Sequence, residues 1–168
     1  MAAAAETEDG RYIVVDGRRW RASDRAIPDP LRAELVAELM DARRAIRGAD
    51  ETATRLARAR VQDAKVALGE RGEPWWEEPS EPGRRERLAA AMRTLLQHRD
   101  PAKTICPSDA ARVVGGSGWR GAMEAARSVA AELAEAGVIE VRQRGVPVDL
   151  ATARGPIRLG RGPAWPER

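Results

Sequence analysis

The sequence predicts an α+β chain, mainly helical, in two parts. Residues 11–79 read as a β-hairpin plus helical hairpin ending in a Trp/Pro linker, and residues 80–162 as a winged helix-turn-helix. Three observations carry this. Apolar residues recur at helical spacing in several separate stretches. Asp16-Gly17 lies between two short β-prone runs, a strong local signal for a two-residue hairpin turn. From Lys103 to Leu159 the order is short apolar strand, short helix, glycine turn, amphipathic helix, then two strands joined by an arginine-bearing loop.

Residues 1–10 read as a disordered tail. Tyr12 to Val15 and Arg18 to Ala22 form the hairpin, with Ile13 opposite Trp20. Asp29-Pro30 reads as N-cap and first helical position. Leu31, Leu35, Leu39 and Ile46 then make an apolar stripe that stops at Gly48. Asp50 caps a second helix carrying Leu56, Val61, Ala64 and Leu68. So short a link forces antiparallel neighbours, hence a helical hairpin. Residues 72–83 hold three Pro, two Gly and the Trp75-Trp76 pair, and place a boundary near Ser80. A helix from about Gly83 to His98 opens the second part. Thr104-Ile105 is a strand, Pro107 starts a two-turn helix, and Gly115-Gly116 ends it. Ser117 caps the third helix, with Trp119, Met123, Ala126, Ala130 and Leu133 facing inward. Gly137 fits a left-handed C-terminal cap. Val138 to Val141 and Pro156 to Leu159 form the last strands around a long loop from Gly145 to Gly155, and a tail follows.

The 168 residues include five Trp, one Tyr and no Phe, so the core must be built from Ala, Leu, Val and Ile, as two small cores. No apolar run approaches the roughly 20 residues that span a bilayer. The first residues lack the charged and apolar regions of a secretory signal. A cytoplasmic protein without a membrane is expected. The single Cys106 excludes an internal disulfide.

Residues 1–79 hold 14 Arg and Lys against 16 Asp and Glu, whereas residues 80–168 hold 15 against 10. The basic excess therefore falls on the helix-turn-helix half, where phosphate binding requires it. Arg outnumbers Lys 27 to 2, a bias that reflects a GC-rich coding sequence.

The segment from Arg87 to Arg161, above all TICPSDAAR and TARGPIRL, resembles an uncharacterised bacterial family known only as a domain of unknown function. The stretches RYIVVDGRRWRASD and VALGERGEPWW are similar to actinobacterial proteins often labelled biopolymer transport proteins. Neither resemblance implies catalytic residues.

The pattern points to double-stranded DNA as the partner. In a winged helix the third helix enters the major groove and the wing touches neighbouring backbone. Ser117, Arg120 and Arg127 would face the groove, the two arginines seven residues apart on one face. Arg142, Arg144, Arg154 and Arg158 would arm the wing, and backbone amides near Ser108 would hold a phosphate. Against this, Glu124, Glu132 and Glu135 on the same helix repel phosphate. The rival reading is a non-enzymatic adaptor whose winged helix and Trp-rich linker dock a protein. The helical hairpin also offers a surface for a homodimer. No catalytic constellation, cofactor loop or metal site is expected: one His and one Cys cannot build a structural zinc site. Trp119 reads as a core anchor, and Cys106 as a buried structural thiol.

Overall fold

Asp16 and Gly17 both take positive φ, 50° and 74°, and close the hairpin between β2 (Tyr12–Val15) and β3 (Arg18–Arg21) with Ile13 opposite Trp20, as the sequence predicts. The computed structural model describes residues 4–166, a mixed α+β chain with two small antiparallel sheets. The expected disordered tail is instead partly ordered. β1 (Ala5–Glu6) pairs with β2, Ala5 opposite Val14 and Glu6 opposite Ile13. The turn leading out of it is built locally. The Thr7 hydroxyl donates to Asp9 at 2.6 Å, Asp9 accepts from the Arg11 amide at 3.1 Å, and Gly10 takes φ 68°. Those two bonds, Thr7 first, lower the Asp9 pKa. Residues 1–3 lie outside the described residues.

The helical hairpin is α1 (Asp29–Ala45) and α2 (Glu51–Ala67). Asp50 caps α2 by accepting from the Ala53 amide at 2.8 Å. The start of α1 differs from expectation. Pro28 is the N-cap, no side chain caps the helix, and Asp29 lies inside the first turn, where its charge suits the positive end of the dipole. Trp75 donates to the Ala22 carbonyl at 2.9 Å and stacks edge-on with Trp76, which meets Tyr12 in the same way. The Trp pair therefore ties the linker onto the N-terminal sheet.

The core is organised by α3 (Glu81–His98). The Ser80 hydroxyl caps it by accepting from the Gly83 amide at 3.0 Å. Its second half is buried on nearly every side, with Leu88, Ala90, Ala91, Met92, Leu95 and Leu96 all at 1% exposure or less. Such a helix must be covered all round. Here α1 and α2 cover it on one side, and α4 (Pro107–Gly115) and α5 (Met123–Glu135) on the other. The buried apolar residues from Ile27 to Leu159 consequently make one cluster, not the two small cores expected. Small side chains explain this, because Ala90 and Ala91 leave room for neighbours on both flanks. Leu95→Ala is expected to cost about 3 kcal/mol, since the surrounding helices cannot collapse onto the void. Chemical denaturation followed by circular dichroism measures it.

A 3-10 segment (Gly116–Ala122) joins α4 to α5. After α5, Gly137 at φ 74° reverses the chain, and the Val138 amide donates to the Leu133 carbonyl at 2.9 Å. β4 (Ile139–Gln143) is the centre of the second sheet, between β5 (Val146–Pro147) and β6 (Arg158–Arg161). Ile105 bridges Leu159 on the far side of β6. The long loop expected from Gly145 to Gly155 instead follows an added short strand, β5, and runs over residues 148–157. Arg144 and Gly145, at φ 51° and 79°, make a two-residue turn, so that Gln143 pairs with Val146. Among the described residues no helix is long and apolar enough to cross a membrane.

Candidate functional site

The second sheet gathers the arginines predicted for the wing. Arg142 and Arg158 are direct partners across β4 and β6, so their side chains leave the same face. Gln143 donates to the Arg154 carbonyl at 2.6 Å and to the Pro156 carbonyl at 3.1 Å, which pins the returning loop beside β4. Arg144 occupies the hairpin tip. Arg144, Arg154 and Arg158 are exposed. Arg142 is half-buried and ion-paired with Glu140 at 2.7 Å. Arg158 is braced by the Thr104 hydroxyl at 2.9 Å and the Thr104 carbonyl at 3.0 Å. Among the described residues, Arg144 and Arg154 have no carboxylate partner.

The third helix differs from its prediction. Ser117 is exposed but caps nothing, because the chain runs as a 3-10 segment from Gly116 and becomes α-helical only at Met123, after Ala122. Gly116 is the reason. Its φ of 53° and ψ of −127° suit only glycine, and a Cβ there would stand 2.8 Å from that of Ala26. The close approach of Ala26, in the segment before α1, thus leaves no room for a side chain at position 116. Arg120 and Arg127 consequently lie on different helical pieces rather than along one α-helical face. Arg120 is exposed and Arg127 half-buried. Trp119 packs against the core, and the guanidinium carbons of Arg112 and Arg120 lie 4.7 and 4.5 Å from its ring centre.

The outer surface of α5 is acidic, exposing Glu124, Glu132 and Glu135. Arg85 of α3 reaches across to the Ser128 hydroxyl at 3.2 Å and to Glu132. Ser108 is half-buried in the first turn of α4. The neighbouring Asp109 already accepts from the Cys106 amide at 3.0 Å and sits 3.5 Å from Arg99. Arg99 also clasps Glu34 through two bonds of 2.8 and 2.9 Å; that bonding comes first among the causes that raise its pKa. Cys106 is half-buried, not fully buried as expected.

A second region lies away from the predicted wing and third helix. A cavity of about 370 Å³ opens among α1, α2, α3 and the C-terminal segment, lined by Glu38, Asp41, Arg60, Asp63, Arg93 and Trp165 among others. Arg93 grips Asp63 with bonds of 2.9 and 2.7 Å, which raise the Arg93 pKa. Glu38 is 1% exposed. One of its oxygens accepts from Arg60 Nε at 2.6 Å and the other has no hydrogen-bond partner. One potential ligand atom from each of Glu38, Asp41 and His98 lies within 4.8 Å of the others. The residues after Arg161 are not merely a tail, since Trp165 is half-buried and donates to Gln97 Oε1 at 3.2 Å. A sequence signal did exist. Position 38 falls on the inward stripe of α1 with Leu31, Leu35 and Ala42, so a carboxylate there breaks the apolar pattern.

Residues 85–162, the part that holds α4, α5 and the arginine-bearing sheet, match a family described as a protein of unknown function (DUF3253). This agrees with the resemblance of the C-terminal half. No curated protein matches the chain.

Proposed function

We propose that the C-terminal part is a winged helix that binds duplex DNA, mainly through the phosphate backbone. The observation that carries the reading is the grouping of Arg142, Arg144, Arg154 and Arg158 at one end of the second sheet, where the Gln143 bonds hold the loop against the strand. The arrangement of elements supports it. Ile105 bridges β6, β6 pairs with β4, and the helices α4 and α5 precede the sheet in the order of a winged helix-turn-helix. Arg120 beside Trp119 adds an exposed cation at the turn between those helices. The carboxylates of α5 argue against deep reading of base edges by that helix, so sequence preference should be weak. Their exposure favours the rival reading, an adaptor that docks a basic protein surface on α5.

Fluorescence anisotropy with mixed genomic duplex at several salt concentrations separates the two. Four phosphate contacts, from Arg120, Arg144, Arg154 and Arg158, predict a slope of about −3.6 in log affinity against log salt. That amounts to a loss of roughly 150-fold between about 50 and 200 mM salt. Absence of binding at the lowest salt refutes the nucleic-acid reading and leaves the adaptor.

A further inference from the structure

We propose that Glu38, Asp41 and His98 form a binding site for a divalent metal ion of the zinc or manganese class at the wall of the cavity between α1, α2 and α3. Two independent observations converge on the place. The first is the cluster itself: one donor atom from each of the three residues lies within 4.8 Å of the others. Glu38 and Asp41 stand three residues apart on α1, and so on one face. His98 closes the last turn of α3. The second is the state of Glu38. Its carboxylate is buried at 1% exposure and lines the cavity, yet one oxygen has no hydrogen-bond partner. A buried charged acceptor left unmade is costly. A cation placed between that oxygen, Asp41 and His98 removes the deficit.

The surroundings suit a ligand set. Metal-bound carboxylates are commonly held by a hydrogen bond to their other oxygen, which orients them. Arg60 does this for Glu38 at 2.6 Å, and Arg44 pairs with one oxygen of Asp41. Glu38 keeps its second oxygen without a partner, and the Arg44 pair engages one oxygen of Asp41. One imidazole with two carboxylates is a borderline donor set, suited to zinc, manganese or ferrous iron better than to calcium or magnesium, which favour oxygen alone. Bonds of about 2.1 Å would draw the donors to roughly 3 Å apart. Three protein ligands leave open positions, and the two carboxylates place the ion at the cavity wall, where a small molecule could complete its coordination.

The test uses the full chain, freed of metal by a chelator and titrated with manganese or zinc chloride. Calorimetry should give one site per chain, and bound manganese should lose its free-ion paramagnetic resonance signal. Asp41→Asn and His98→Ala alter partly exposed side chains and should melt like the metal-free parent. Each should weaken binding at least a hundredfold, because an ion ligand is lost outright. Glu38→Gln keeps the shape of the buried residue and should do the same. A dissociation constant above about 1 mM for both metals overturns the proposal. So does binding that survives unchanged in Asp41→Asn and His98→Ala.

Discussion

Arg87→Ala is expected to lower the unfolding free energy by about 3–5 kcal/mol, the range for breaking a buried ion pair by removing one partner. Arg87 projects from the first half of α3 with its side chain 13% exposed. It donates to Asp24 Oδ2 at 2.8 Å, to the Ala67 carbonyl at 3.1 Å and to the Val113 carbonyl at 3.4 Å. One side chain thereby joins the connection before α1, the end of α2 and the end of α4. Asp24 is itself fixed, since its amide donates to the Leu68 carbonyl at 2.8 Å and its other oxygen accepts from the Ala26 amide at 2.8 Å. It cannot turn to solvent when the guanidinium goes, and at 4% exposure it would remain as an uncompensated buried charge. Denaturant titration measures the loss. The double variant Arg87→Met with Asp24→Asn should be more stable than Arg87→Ala alone, because it removes the stranded charge as well as its partner. A loss below about 1 kcal/mol for Arg87→Ala would show that water reaches Asp24 and that the pair is not a buried one.

That hub joins segments far apart in the chain, which no short stretch of sequence encodes by itself. Local chemistry was legible wherever a short segment decides its own conformation. Asp16-Gly17 makes the turn it predicts, Asp50 caps α2, and Gly137 reverses the chain after α5. The two helical hairpin arms and the helices on either side of the glycine run were legible for the same reason, since their apolar spacing follows the helical period. What was not legible depends on partners far away in the chain. The 3-10 segment Gly116–Ala122 begins at a glycine that lies against Ala26, some ninety residues earlier. Pairing of β1 with β2 needs only two residues, too few to give a periodic signal. The merging of two expected cores into one follows from how α3 is covered on both sides.

The candidate site divides along the same line. Arg142, Arg144, Arg154 and Arg158 are close in sequence, so their grouping on β4, β6 and the segment between them could be anticipated, although the turn at Arg144-Gly145 could not. A positive φ at Arg is unfavourable by itself, and the strand pairing on either side imposes it. Glu38, Asp41 and His98 come from two helices some sixty residues apart. Only the odd carboxylate in an apolar stripe pointed to them.

The second large effect concerns affinity. Arg144→Glu together with Arg154→Glu is expected to weaken duplex binding on the order of a hundredfold near 100 mM salt. Two lost phosphate contacts account for most of it, and the new repulsion supplies the rest. The two positions suit the test because neither supports the fold. Both are exposed and neither has a carboxylate partner among the described residues. The contact that holds the loop uses the Arg154 carbonyl, which the substitution keeps. Arg142 and Arg158 would be poorer choices, being tied to Glu140 and Thr104. The diagnostic quantity is the salt slope rather than affinity alone. It should fall from about −3.6 to about −1.8 if two of four contacts vanish. A merely weakened fold would lower the amount of active protein and leave the slope unchanged. If affinity and slope both stay at parental values, the arginine end of the sheet is not in contact with DNA, and any binding must come from elsewhere on the chain.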